Sequence, residues 1–292
     1  MLRPGTPHKI TFNRESEVNG AVTWIGVFIQ TSNYLEDGDT VTLEFPEPIR
    51  FTITDRPKCL GASNNLASEL PCTVKGLSTM EITLKLQSSE EKEGPLRIES
   101  GQVLMMRITG MVNPPSFKPT ESIRYSVKSR DFDVLEFQHQ RNGLQNTKPG
   151  ALSSKNNGIV PDTFKQGAAA KYTLELRPIN YEQNMKIYVT LPPQVTFATK
   201  KVNCAGLSGT DTPTVKCVIT SKGEIVIQDA VKYQKLNPKL IRIEIGELNN
   251  PNKTVISKSF GVKTVTEDGF TLDNINQNMT VNFYCAYPCA EC

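Results

Sequence analysis

Leu43-Glu44-Phe45-Pro46-Glu47-Pro48-Ile49-Arg50-Phe51 and Val189-Thr190-Leu191-Pro192-Pro193-Gln194-Val195-Thr196-Phe197 are two versions of one phrase. In each, an alternating apolar run meets proline, and an aromatic residue closes the phrase. Cys59-Leu60-Gly61 follows the first copy and Cys204-Ala205-Gly206 follows the second. Cys72 and Cys217 then come at the same distance from their partners. Upstream, Asn19-Gly20-Ala21 matches Gln166-Gly167-Ala168, with Ile25, Val27 and Ile29 opposite Tyr172, Leu174 and Leu176. Downstream, Gly110 and Asn113 line up with Gly246 and Asn249, and Tyr125-Ser126-Val127 with Phe260-Gly261-Val262. Landmarks that keep their order in this way mark one module used twice.

The module reads as all-β. Val41, Leu43 and Phe45 alternate with Thr40, Thr42 and Glu44, and Met80 to Leu86, Lys186 to Leu191 and Leu240 to Ile245 repeat the pattern. A period of two with one apolar side means strands that cover a core on one face. Asp37-Gly38 and Lys222-Gly223-Glu224 supply hairpin turns, and Pro46, Pro48, Pro192 and Pro193 stop their strands because proline gives the ladder no donor. The expectation is two tandem Ig-like antiparallel β-sandwiches, with a barrel as the other all-β architecture. Module one spans 6–140 and module two 158–276. The stretch 141–157, rich in Gly, Ser, Asn and Pro, reads as a linker.

Lys plus Arg total 33 and Asp plus Glu 30, a net charge of +3. That near balance argues against a nucleic-acid binder that neutralises phosphates. The longest apolar stretch, Ala21 to Ile29, is broken by Thr23 and is too short to span a membrane. Membrane attachment is therefore expected only through parts outside this chain.

Cys59 with Cys72 and Cys204 with Cys217 read as one disulfide per module, the other reading being four buried thiols. A bridge over a loop this long adds about 3 kcal/mol on the loop-entropy view, and it places the chain outside the cytosol. Cys285, Cys289 and Cys292 crowd the last residues. The span 277–292 is expected to open a Cys-rich region, or else to be a short tail with one local bridge. Asn252-Lys253-Thr254 and Asn278-Met279-Thr280 are N-glycan acceptor motifs, suited to exposed loops.

No catalytic centre is expected. The two histidines, His8 and His139, have no counterpart in the other module. Gly206-Leu207-Ser208-Gly209 lacks the spacing of a nucleophile elbow and falls inside the cysteine loop. No metal or cofactor is expected. Glu36-Asp37-Gly38-Asp39 reads as a hairpin turn, with a Ca²⁺ site as the other reading, and Asn180 to Asn184 is its less charged match. Trp24 reads as core packing rather than as a sugar-stacking platform. Asn113 to Pro119 and its match Asn249 to Lys253 read as rigid exposed loops, either plain connections or contacts to a neighbouring module or subunit.

The run Gly20 to Gln30, the strand Gly38 to Pro46 that ends in Phe-Pro, and Cys59 with Cys72 resemble tandem Ig-like modules of large ciliate and flagellate surface proteins. The ending Cys285-Ala286-Tyr287-Pro288-Cys289-Ala290-Glu291-Cys292 is similar to the opening of furin-like or growth-factor-receptor-like Cys-rich repeats. The resemblance implies a long secreted or surface-tethered chain. It carries over no functional residue. The expected role is a non-enzymatic structural or adhesive extracellular protein, a rod-like part of a coat, fibre or flagellar appendage. Its partners would be itself or neighbouring surface proteins, met through module faces and strand edges. The alternative is a receptor ectodomain that binds a protein or glycan through its loops.

Overall fold

A computed structural model describes residues 5–52, 56–63, 65–87, 96–131, 134–139, 143–153, 155–233, 239–275 and 279–284. Every regular element among them is a strand. Among the described residues, no helix is long and apolar enough to cross a membrane. The chain divides into two compact units: Met1–Pro114 with Lys118–Thr147, and Pro115–Phe117 with Lys148–Cys292.

The strands of the first unit are β1 (Lys9–Arg14), β2 (Val22–Gln30), β3 (Leu35–Glu36), β4 (Thr40–Glu44), β5 (Arg50–Phe51) and β6 (Cys59–Gly61), followed by β7 (Cys72–Lys75), β8 (Thr79–Thr83), β9 (Arg97–Ile98), β10 (Val103–Val112), β11 (Arg124–Lys128) and β12 (Val134–His139). One sheet runs β1-β2-β10, with β5 and β6 both pairing β10. The other runs β12-β11-β4-β8-β7. Ile25, Val27 and Ile29 of β2 meet Val41 and Leu43 of β4 and Tyr125 and Val127 of β11 in one core. Each such side chain removed from water contributes about 2 kcal/mol.

The second unit adds β13 (Gly150–Leu152), β14 (Gly158–Pro161), β15 (Ala169–Leu176), β16 (Lys186–Thr190), β17 (Thr196–Phe197), β18 (Cys204–Ser208) and β19 (Thr214–Ile219), then β20 (Glu224–Gln228), β21 (Ile241–Asn249), β22 (Val255–Ile256), β23 (Gly261–Val265), β24 (Thr271–Ile275) and β25 (Asn282–Phe283). The layers β13-β24-β23-β16-β20-β19 and β18-β21-β15-β14 repeat those of the first unit. Here the β18–β19 pairing joins the two layers along one edge. The outer strands β13 and β14 do not pair with each other, so the architecture is an open sandwich and not a barrel.

Two features lie elsewhere than the sequence suggested. Within 141–157, Leu144 packs in the first core and Gly150–Leu152 forms β13, parallel to β24. A three-residue strand shows no alternation, so this one is invisible in the pattern. Beyond 276, Phe283 is buried in the second core and β25 pairs β22.

The register of the repeat also needs correction in its second half. Gly110 corresponds to Glu247 and not to Gly246. Both have left-handed backbone, φ 74 and 60, at a β-bulge where the pairing with β2 or β15 slips. Tyr125 lies opposite Leu43 as Val262 lies opposite Val189, so the partner of Phe260 is Ile123.

Candidate functional site

Each unit buries one carboxylate on its last long strand, and both carboxylates perform the same task. Glu136 Oε1 of β12 accepts from the backbone N–H of Ser32 and Asn33, at 2.6 and 2.8 Å, and its other oxygen accepts from the Tyr125 hydroxyl. Asp273 Oδ2 of β24 accepts from the N–H of Ile179 and Asn180, both at 3.0 Å, while Asn180 Nδ2 donates to Oδ1. The segments held are the chain just after β2 and just after β15, which are equivalent places. Burial raises the Asp273 pKa, and the donors from Asn180, Ile179 and Thr264 oppose the shift. Burial, then Glu136, drives the Tyr125 phenol well above its ordinary value. A glycine covers each carboxylate. Gly5 forms a parallel bridge to Glu136, and Gly150 pairs in parallel with Asp273. A Cβ on Gly150 would fall on the Asp273 carboxylate and the Asn180 amide.

A second device repeats at the other end of the central strand. Asn113 Nδ2 donates to the carbonyls of Ser16 and Val18, at 2.8 and 2.9 Å. Asn250 Nδ2 donates to those of Thr163 and Lys165, at 2.7 and 3.0 Å. Gly20 N–H donates to Pro114 O, and Gly167 N–H to Pro251 O. Each asparagine thereby fastens the turn that leads into β2 or β15. The oxygen is used as well: Arg14 donates to Asn113 Oδ1, and the Tyr172 hydroxyl to Asn250 Oδ1. Burial raises the Tyr172 pKa far above its usual value, and that of Tyr181 to about 12. Asn113, Pro114, Ser116, Asn250 and Pro251 are buried, which corrects the expectation of exposed loops. The ends of both segments are exposed, Lys118 and Pro119 in the first and Asn252 and Lys253 in the second. The sequence pairs Asn113 with Asn249 and so misses Asn250, because the bulge shifts the alignment by one residue.

Cys59 is bridged to Cys72 and Cys204 to Cys217, with Cα atoms 6.1 and 5.8 Å apart. The bridges close matching hairpins, in which Cys59 faces Leu70 and Cys204 faces Val215. Of the glycan acceptors, Asn252 is exposed, and Gln166 donates to the Thr254 hydroxyl. Asn278, and Cys285, Cys289 and Cys292 of the Cys-rich tail, lie outside the described residues.

Backbone donors, one from the turn itself and one from Leu86, occupy the acidic turn. Asp39 Oδ2 accepts from Glu36 N–H and Asp37 Oδ1 from Leu86 N–H, both at 2.8 Å. Among the described residues, no three His, Cys, Asp or Glu side chains gather as metal ligands. His8 is exposed. Two open, shallow hollows flank the bridges: one of about 420 Å³ beside Lys171, Cys204 and Glu247, and one of about 480 Å³ beside the Cys59–Cys72 bridge.

Trp24 is not a core residue. Thr23 and Ile25 of β2 point inward, so Trp24 lies on the outer face, half-buried, with the Arg107 guanidinium 4.4 Å from its ring centre.

No family model matches the chain, and no curated protein matches it. Among solved structures it is similar to the type II cohesin dyad from the adaptor ScaA scaffoldin of Acetivibrio cellulolyticus, at 12% identity and TM-score 0.27, covering 92% of this chain and 95% of that one. It is similar to the C-terminal domain of the Streptococcus pyogenes antigen I/II-family protein AspA, at 9% identity and TM-score 0.30, covering 94% and 99%. It is also similar to the major pilin subunit of Bacillus cereus, at 10% identity and TM-score 0.32, covering 95% and 67%. All three are bacterial, and the expected likeness to ciliate and flagellate modules finds no support in them. Scores this low carry nothing about function.

Proposed function

We propose that this chain is a non-enzymatic structural or adhesive protein of the cell exterior, which works by presenting the faces and edges of two duplicated sandwiches. The carrying observation is how its buried polar groups are used. Glu136, Asp273, Asn113 and Asn250 each spend their polar atoms on backbone groups and on neighbouring side chains of the same unit. Chemistry that would serve a reaction elsewhere serves architecture here. The paired bridges Cys59–Cys72 and Cys204–Cys217 fit an oxidising compartment, and Asn252 is an exposed glycan acceptor there.

What remains free to act is surface, so partners are another copy or a neighbouring surface protein. Electron microscopy of the purified chain across a concentration series tests this. Ordered fibres or sheets are the expected result. Dispersed particles with a strong glycan-array signal would instead favour a receptor ectodomain that binds through its loops.

A further inference from the structure

We propose that the outer face of the β1-β2-β10-β6 sheet is a docking surface for a protein partner that is apolar with a carboxylate at its edge. The duplication itself supplies the comparison, because in the second unit the same positions carry charges that pair with one another. On β15 and β21, Lys171 pairs with Glu244 at 3.0 Å, and Glu175 pairs with Arg242 at 2.8 Å. The pairing registers place Trp24 where Lys171 stands, Phe28 where Glu175 stands, Met105 where Arg242 stands and Arg107 where Glu244 stands. Four charges that close on each other have been exchanged for two aromatics, a thioether and one cation. The contact pattern survives the exchange. Arg107 lies on Trp24 as Glu244 meets Lys171, and Phe28 sits directly opposite Met105 as Glu175 does Arg242.

The exchange leaves an apolar patch, extended by Leu60 opposite Arg107 and by Val103, which is 47% exposed. Tryptophan, phenylalanine, methionine and arginine are the residues enriched at protein interfaces, where lysine and glutamate are depleted. The charge is unbalanced too. Among the described residues Arg107 has no carboxylate within ion-pair distance, Lys9 adds a second cation on β1, and the exposed Glu15 beside Trp24 pairs with neither. A partner carboxylate at Arg107 supplies the missing charge, in a site where Trp24 already orients the guanidinium. Trp24 and Phe28 lie half-buried along the sheet rather than projecting from it, which suits a flat protein surface better than insertion into a bilayer.

This inference rests on the surface-presenting reading. A hydrolytic activity in the chain would sink that reading while leaving the present test measurable. The test uses the full chain and a fourfold variant that grafts the second unit's residues, Trp24→Lys, Phe28→Glu, Met105→Arg and Arg107→Glu. The variant is expected to fold, because the duplicate sheet carries the same set. The probes are synthetic amphipathic helical peptides with a leucine face flanked by glutamate, the same peptide with lysine for glutamate, and one with serine for leucine. The wild-type chain should bind the leucine–glutamate peptide about tenfold or more tighter than either control, and the graft should lose that preference. If the graft melts lower than wild type, the Trp24→Lys/Arg107→Glu pair alone is measured in the same way. Equal binding by graft and wild type, or no discrimination between peptides, overturns the proposal. So does graft-sensitive binding to phosphatidylserine vesicles, which would make the partner a membrane. Graft-sensitive self-association in sedimentation without peptide binding would make it a second copy, and overturns the proposal equally.

Discussion

Replacing Asn250 by alanine should cost far more than its place in a loop suggests. Its amide nitrogen donates to Thr163 O and Lys165 O, and its oxygen accepts from the Tyr172 hydroxyl, which is buried. Three buried hydrogen bonds at about 1 kcal/mol each give about 3 kcal/mol, and the stranded phenol and carbonyls keep the loss from being recovered. For a unit of this size that is a fall on the order of 10 °C in melting temperature. Tyr172→Phe should cost about 1 kcal/mol, and the double substitution should cost less than the sum of the two, because both remove the same bond. Calorimetry of the full chain reads all three variants, with Asn252→Ala, an exposed neighbour, as the reference. A loss at Asn250 no larger than at Asn252 would refute the claim that this side chain ties the turn to the sheet.

Three further outcomes follow from the buried polar groups. The phenols of Tyr125, Tyr172 and Tyr181 are raised in the folded chain, so their contribution is fully present below about pH 10 and lost as pH climbs through the folded values. Stability should hold up to that point and then fall, with phenolate absorbance appearing together with unfolding; smooth titration of all tyrosines without unfolding would contradict it. Asp273→Asn should destabilise the second unit by about 2 kcal/mol, measured by denaturant melts, because an amide cannot accept from Ile179, Asn180 and the Asn180 side chain with both of its ends. The raised Asp273 pKa means that wild type loses its contribution as pH rises from about 4 through the folded value. The Asn variant should lack that slope.

The strands and bridges were legible because they repeat. Val41, Leu43 and Phe45 alternate against threonine and glutamate, and the cysteine spacing recurs in both halves. The polar devices were not legible, for a geometric reason. At Gly110 and Glu247 a bulge in left-handed backbone adds one residue to the central strand, and the second copy uses glutamate where glycine is the usual signal. The eye therefore pairs Gly110 with Gly246 and sets Asn113 against Asn249, hiding the match with Asn250. Trp24 was misread because Trp24-Ile25-Gly26-Val27-Phe28-Ile29 is apolar on both sides, so alternation does not say which face is the core. Only the second unit's polar residues Lys171, Thr173 and Glu175, at the matching outward positions, reveal it. Glu136 and Asp273 were missed because a lone acid on a strand looks like a solvated residue until the opposing loop is in place.

One cystine-pinned sandwich, duplicated and stabilised in the same way twice, explains both units. Peptide mapping of the full chain, isolated without reductant, tests it most directly. The expected result is Cys59 linked to Cys72 and Cys204 linked to Cys217, with none of the four open to alkylation. A bridge from Cys59 or Cys72 to Cys204 or Cys217, or reactive thiols at any of these positions, would contradict it.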